Sequence, residues 1–477
     1  MSAVAATSVG QPVADLELSR AWLVDPAGGR EGPGEIIVTN GVLEAVNWLE
    51  GDEAAGVDER GVVVAPAFTD LHAHFREPGN EAAETIATGT AAAAHGGFGT
   101  VCLMPNTDPP VDGREGMARL DSVVAGLSSP VRVLAYGAVT ARSAGEELAP
   151  LGELADAGVV GYSDDGSPVR SAAVLRSALL YGGMLGLPVV DHPEDLGLTS
   201  GAEAHEGLVA TVLGLRGWPA AAEAAAVGRD LAVLADVLAD EPRARLHLTH
   251  VSTAPALDLI RSAKAARLPV TCDIAPHHLA LSDEWLAGSR RWAWEAVDSV
   301  GRARDPWTDG SLVAAPFDSS LRVNPPLRSP EDAAACLAAL LDGTADAVAT
   351  DHAPHTSVDK DVEFGLAANG ISGIETALGL LIAGVDAGRL PLLRAIEAMT
   401  LGASRVLGDR IGPGSGLVEG EQATLVVFDR ADSWEVSPTN LLSLGKNSPL
   451  LGLELPGRVL LTIVDGQFAY RDRSLDA

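Results

Sequence analysis

The stretch "VVVAPAFTDLHAHFREPGNE", residues 62–81, starts as an apolar, β-rich run and ends in histidines, carboxylates and an arginine. A continuous run of branched apolar residues is the pattern of a strand buried on both faces. Its abrupt polar exit places ionisable groups where that strand stops. His72 and His74 are spaced i, i+2, and alternate side chains of a strand share a face, so the two imidazoles point the same way. Taken alone, the cluster reads equally as a metal and substrate site or as a polar loop capping a buried strand.

The same pattern recurs along the chain. Short β-rich runs with polar or glycine-rich exits stand at 100–106 ("TVCLMPN"), 132–139 ("RVLAYGAV"), 159–165 ("VVGYSDD") and 187–192 ("LPVVDH"), then at 245–251 ("RLHLTHV"), 268–278 ("LPVTCDIAPHH") and 346–355 ("DAVATDHAPH"). Ala/Leu-rich helical segments such as "SAAVLRSALLYGGML" and "PEDAAACLAALLDG" separate them. With the run at 62–74 this makes eight strand–helix units, the rhythm of an α/β fold and specifically of a (β/α)8, TIM-like barrel. A doubly wound open sheet alternates in the same way. What favours the barrel is that His72, His74, Asn106, Asp165, His192, His250 and Asp351 all fall at the C-terminal ends of their strands, the rim where barrel enzymes assemble their sites.

The flanks differ. Residues 14–66 and 413–477 alternate like antiparallel strands with turn residues between them, so the two ends are expected to form one small β-sandwich domain beside a barrel spanning 67–412. Residues 1–13 are expected to be a mobile tail. Residues 284–323, rich in Trp and Arg, form a long connection that reads as a lid, an oligomer contact or a packed excursion.

Composition narrows the function classes. A chain of 477 residues with 47% hydrophobic and 21% charged residues folds into a large barrel with an appendage or into several domains. Its net charge of −32 opposes binding to nucleic acid or an anionic membrane. No apolar run is long enough to span a bilayer. The N-terminus has no basic start followed by an apolar core, so no secretory signal is expected. Cys102, Cys272 and Cys336 are scattered and odd in number, which suggests buried thiols in a reducing cytoplasm. Only three residues are lysine: Lys264, Lys360 and Lys446.

His192, His250 and Asp351 at later strand ends strengthen the metal reading of His72 and His74, because imidazole nitrogens and carboxylates together suit Zn²⁺ and similar divalent ions. The fourth strand ends in "SDDG", offering Asp164 and Asp165; one could bridge two ions or ligate one, and Asp164 reads better as a turn-shaping acid. Asp351 is placed to be both ligand and proton shuttle. Arg76, with its planar fork, and Asn106 are the candidates for orienting an anionic substrate.

The motifs "LHAHFREPG", "MPNTDPP", "GYSDDGSP", "HLTHVST", "APHHL", "NPPLR" and "ATDHAPH", followed by "GLVEGEQATLVVFD" and "GKNSP", occur in that order over roughly residues 15–472. Together they resemble the dihydroorotases of the amidohydrolase superfamily, in the longer bacterial class where aspartate replaces a carboxylated lysine. No lysine occurs between residues 1 and 263, so that lysine cannot be used here. The resemblance implies one or two Zn²⁺ ions, with His72, His74 and Asp351 on the first, His192 and His250 on the second, and Asp165 bridging. It also implies substrate contacts from His74, Arg76, Asn106, Asn324 and His355. A backbone contact is implied near "NGISGIET", from Asn369 and Gly370 or, by a rival alignment, from Phe364 and Gly365. The implied reaction is the reversible cyclisation of N-carbamoyl-L-aspartate to (S)-dihydroorotate with loss of water, with activated water attacking the ring amide in the hydrolytic direction and Asp351 as acid/base. The implied partners are a small-molecule substrate, a second copy in a homo-oligomer and, in some members, aspartate transcarbamoylase. Two rivals stand beside this reading: a hydantoinase or allantoinase, and a non-catalytic dihydroorotase-like scaffold. The departures from the family pattern are "DHPED" around His192 and the long 284–323 segment.

Overall fold

The computed structural model describes residues 9–476 apart from positions 14, 413 and 415. Eight short strands lie in its central part: Phe68–Ala73, Phe98–Leu103, Arg132–Ala135, Tyr162–Ser163, Val189–Asp191, Leu246–Leu248, Val270–Ile274 and Ala347–Val348. They pair in parallel and in chain order, as a set of three and a set of five. Parallel bridges Gly137↔Tyr162 and Ala73↔His352 join the third strand to the fourth and the eighth to the first. The ring is therefore closed, as expected of a (β/α)8 barrel.

Leu71, Cys102, Met104, Tyr136, Val160, Val190, Ala347 and Ala349 fill the barrel together with Ala403, Val406, Leu407 and Ile411. The last four come from helix Leu401–Leu407 and the turn after it. That helix closes the end where strands begin: Arg245, just before the sixth strand, donates to the Val406 carbonyl at 3.2 Å. Only the C-terminal rim remains as a mouth.

The opening run 62–74 is two strands. Val62–Pro66 belongs to a seven-stranded sheet built from both ends of the chain, in the order 467–471, 454–464, 425–435, 62–66, 15–25, 30–39, 42–48. It sits at the centre of that sheet, antiparallel to 425–435 and parallel to 15–25, which accounts for its unbroken apolar sequence. The sheet curls around a core shared by its two halves, with Leu18, Leu23, Ile36 and Val38 on one side and Val427, Leu461, Ile463 and Phe468 on the other. After Ala67 the chain passes directly into the first barrel strand. Residues 1–8 of the expected tail lie outside the described residues; Gly10 and Val13 donate to the carbonyls of Phe468 and Gly466, both at 2.8 Å.

Segment 284–323 packs at its two ends, while residues 298–305, 308–310 and 313–317 are exposed. Trp285 is fully buried and its Nε1 donates to the Arg291 carbonyl at 2.7 Å. Arg291 is held by both Glu284 oxygens at 2.8 Å, and Leu321 and Val323 share a core with Phe364 and Ile371. All three cysteines are buried free thiols. Among the described residues no helix is long and apolar enough to cross a membrane.

The first barrel helix, Ile86–His95, ties the fold to the rim. Thr85 caps it, and Glu77 of the opening stretch accepts from the Ile86 amide at 2.8 Å, which gives that carboxylate a structural role. Gly89 faces the Phe75 ring, and a Cβ there would lie 2.5 Å from it. Helix propensity favours Gly89→Ala by about 0.5–1 kcal/mol, but overpacking costs about 1–3 kcal/mol. Thermal denaturation of Gly89→Ala should therefore show a lower Tm than wild type; a higher Tm would mean that Phe75 moves freely.

Candidate metal centre and active site

Each candidate ligand stands at or just past a strand end: His72 and His74 at the first, Asp165 after the fourth, His192 after the fifth, His250 after the sixth and Asp351 after the eighth. All six are buried, with exposures between 1% and 6%. His72 and His74 turn the same way, with their Nε2 atoms 3.2 Å apart.

The atoms converge in two groups about one carboxylate. Asp165 Oδ2 lies 3.1 Å from His72 Nε2 and 3.4 Å from His74 Nε2. Asp351 Oδ1 approaches the same two nitrogens at 3.5 and 3.3 Å. Asp165 Oδ1 faces the other way, 3.4 Å from His192 Nδ1 and 3.5 Å from His250 Nε2, which are themselves 3.0 Å apart. This buried Oδ1 accepts no hydrogen bond. Donor atoms of His72, His74 and Asp351, and again of His72, Asp165 and His250, lie within 4.8 Å of one another. Imidazole and carboxylate donors packed this closely, with a buried carboxylate oxygen unsatisfied, fit divalent metal ions. Asp164 points elsewhere: it accepts from the amide and hydroxyl of Thr140, beyond the third strand, so its side chain braces two strand ends and does not shape the local turn expected of it.

Contacts behind the ligands set which nitrogen faces inward. His72 Nδ1 donates to Thr249 Oγ1 at 2.7 Å, and Thr249 in turn reaches Asp273. Asp273 also accepts from the His250 amide at 2.6 Å and from His247 Nε2 at 2.8 Å. His192 Nε2 donates to Glu194 Oε2 at 3.0 Å, which leaves its Nδ1 for the centre. Partners of this kind fix the tautomer and ring orientation of metal-binding histidines. Thr249, Asp273 and Glu194 were not singled out from the sequence; each lies within a few residues of a strand-end histidine, which is the one signal that could have found them. His278 donates to the Pro325 carbonyl at 3.1 Å, and His352 Nδ1 accepts from Gly373 and Ile374, so both support neighbouring loops.

The structure also gathers most of the expected substrate-side residues. Arg76 Nε donates to the Pro354 carbonyl at 3.1 Å, and its Nη2 lies 3.4 Å from His355 Nε2. Asn106 Oδ1 accepts from His74 Nδ1 at 2.9 Å, so Asn106 orients a ligand candidate as well as facing the mouth. Gly166, with φ +88°, allows this approach, because a Cβ there would sit 2.7 Å from Asn106 Nδ2. Asn324 Nδ2 donates to Glu194 Oε2 at 3.1 Å, and its buried Oδ1 has no partner. Asn369 and Gly370 lie beside His355, but their backbone groups are engaged: the Asn369 carbonyl accepts from His355 Nε2 and the Gly370 amide donates to the Arg322 carbonyl. In the rival segment, the Phe364 carbonyl accepts from Arg322 and Gly365 packs against Glu203.

Strained backbone and buried charge meet at this site. Arg76, His250 and Asp351 have φ of +59°, +38° and +47°, a left-handed conformation that costs about 1–3 kcal/mol at each non-glycine residue and persists where the surroundings enforce it. Burial pushes His72 down, but the Asp165 carboxylate outweighs it and holds the imidazole up at about 9. For His192, burial is likewise outweighed by Asp165 and Glu194, leaving it at about 10. Burial would raise Asp165 and Asp351, yet the surrounding histidines keep both below the usual carboxylate range. His355 is pushed down to about 4 by burial and the adjacent Arg76, so it is neutral beside that cation.

These shifts have a signed consequence for the metal-free protein. His72 and His192 bind protons more tightly folded than unfolded, so their contribution is full below about pH 6.5 and is lost as pH rises through 9 to 10. The Tm of chelator-treated protein should fall between pH 7 and 10, and fall less in Asp165→Asn, where the cause is removed. Equal slopes in the two proteins would contradict this.

Comparison with known proteins adds the family. The model of the dihydro-orotase-like family matches residues 61–254, and that of the amidohydrolase family matches residues 223–469. A protein of Anaeromyxobacter dehalogenans (strain 2CP-1) named dihydroorotase is 44% identical over 456 residues, covering 95% of this chain and 97% of its own. One of Pelotomaculum thermopropionicum with the same name is 42% identical over 453 residues, covering 94% and 97%. Among solved structures, the L-hydantoinase of Arthrobacter aurescens superposes with a TM-score of 0.76 at 22% identity, covering 96% of each chain, a likeness of fold. The chain belongs to the dihydroorotase family of the amidohydrolase superfamily.

Proposed function

We propose that the protein is a zinc-dependent dihydroorotase that interconverts N-carbamoyl-L-aspartate and (S)-dihydroorotate plus water, a step of pyrimidine synthesis. The observation that carries this reading is the two-sided arrangement about Asp165, with the Arg76–His355 pair beside it. Its setting is a chain that aligns nearly end to end with relatives named dihydroorotase.

His72, His74 and Asp351 would hold one ion and His192 and His250 a second, with Asp165 between them. Nitrogen and carboxylate donors of this kind suit Zn²⁺. Bound divalent ions at such a place supply Lewis-acid chemistry, lowering the pKa of water and polarising a carbonyl oxygen. In the hydrolytic direction water adds to the ring amide carbonyl and Asp351 accepts one of its protons. Asp351 then delivers that proton to the ring nitrogen as the C–N bond breaks, and the new carboxyl group ionises. In the synthetic direction Asp351 takes the proton from the attacking nitrogen and returns it to the departing water. Arg76 presents a fork to the substrate carboxylate, with neutral His355 beside it as a further polar contact. Asn106 would join Arg76 and His355 at the carboxylate and Asn324 would be a further substrate contact, each tied to a ligand histidine or its partner. The three buried free thiols support a reducing cytoplasmic setting. A homo-oligomer is the assembly this reading carries with it.

Asp351→Asn should lower kcat by about 10²–10⁴-fold while the circular-dichroism spectrum stays that of a folded protein; a near-normal rate would remove the proton shuttle. Arg76→Met should raise KM for dihydroorotate by at least tenfold, about the loss of a charge-assisted contact, and an unchanged KM would refute the carboxylate assignment. A panel of dihydroorotate, hydantoin and allantoin should show turnover of dihydroorotate; turnover of hydantoin alone would favour the hydantoinase reading.

A further inference from the structure

Lys360 ends the short helix Ser357–Lys360, a few residues after His355, and is 6% exposed. Its Nζ donates to three backbone carbonyls, of Arg322 at 3.1 Å, Ala368 at 2.8 Å and Gly370 at 3.0 Å. An ammonium carries three donors and no acceptor, so each N–H has one partner. We propose that Lys360 is a positioning residue that pins the loop bearing Asn324 to the loop bearing His355, Asn369 and Gly370, and so sets the shape of the substrate-carboxylate pocket without touching a reacting atom. The proposal takes its substrate from the dihydroorotase reading above.

The acceptors belong to the two loops that need joining. Arg322 lies two residues before Asn324, its carbonyl also accepts from the Gly370 amide at 2.9 Å, and its Nε donates to Asn369 Oδ1 at 3.1 Å. Gly370 follows Asn369, whose carbonyl accepts from His355 Nε2 at 2.8 Å. Asn447 completes the junction, donating to the Gly370 carbonyl at 3.0 Å and accepting from the His355 amide at 2.8 Å. Displacing Lys360 therefore loosens both sides of the pocket together.

Residue choice supports the same role. The chain has thirty arginines and three lysines, yet a lysine stands here. A guanidinium spreads its donors over a rigid planar fork, whereas a single ammonium can aim three N–H groups at carbonyls converging on one point. Burial, reinforced by nearby Arg322, pushes Lys360 down to about 7. Three backbone carbonyls from two loops converging on one buried nitrogen form a specific junction, beyond what generic packing supplies.

The test uses the full-length, metal-loaded protein with Lys360→Met and Lys360→Arg. Lys360→Met should raise KM for dihydroorotate about tenfold and change kcat by less than about threefold, the signature of lost binding geometry without lost chemistry. Metal stoichiometry should stay the same, and amide hydrogen exchange over 364–371 should quicken. Lys360→Arg, which keeps the charge but not the convergence, should fall between wild type and Lys360→Met. If Lys360→Met does not fold, Lys360→Gln should shift KM and exchange in the same direction by less. Unchanged KM and unchanged exchange over 364–371 would overturn the proposal, as would loss of Tm, metal and kcat together. If wild type does not turn over dihydroorotate the functional reading fails, and the exchange comparison still decides whether Lys360 is the pin.

Discussion

The Asp165 carboxylate is a single buried anion whose two oxygens address two different pairs of histidines, Oδ2 toward His72 and His74 and Oδ1 toward His192 and His250. An unpaired charge so deeply buried would cost several kcal/mol, and several imidazoles crowded together at one point would repel one another once protonated. Each is tolerated because the other is present, and the arrangement exists only because strands one, four, five and six end at the same rim. The rest of the site follows from that convergence. Asp351 closes the first group from the eighth strand, and the positive φ values at His250 and Asp351 show the backbone bent to bring their side chains inward.

Around this centre, buried acids tie one strand end to the next. Asp70 accepts from the amide and hydroxyl of Thr350, joining the first strand to the eighth. Asp164 joins the fourth to the third through Thr140, and Asp273 joins the seventh to the sixth through His247, Thr249 and the His250 amide. The chain thus uses one residue type for two purposes at the rim: aspartates turned sideways brace the barrel, and aspartates turned inward face the centre. Asp164 and Asp165 are adjacent and do one each, because successive side chains at a strand end point to opposite sides.

Much of this was legible in the sequence. Eight apolar runs with polar exits gave the barrel, since a buried strand must be apolar and an active rim must not be. The alternating ends gave the second sheet. The run at 62–74 was harder: it contains two strands of two different sheets, and an unbroken apolar segment looks the same in either. The six ligand candidates could be named because they sit at strand ends in a recurring position. Thr249 and Asp273 could not, since their importance comes from contacts across strands that one-dimensional spacing does not encode, and Glu194 could not because the local turn that brings it onto His192 shows only in the folded chain. Asn106 shows the same limit, with its bond to His74 becoming visible only once the first and second strands lie side by side. Lys360 was visible as a rarity, but its three acceptors are spread over residues 322 to 370 and meet only in the folded chain.

In the proposed centre one carboxylate, that of Asp165, would join two metal positions. That arrangement is tested most directly by crystallography of the zinc-loaded protein with anomalous data collected at the zinc edge. Two anomalous peaks are expected on either side of Asp165, one among His72, His74 and Asp351 and the other between His192 and His250. Peaks that leave Asp165 uncoordinated, or no peak within reach of these residues, would contradict it.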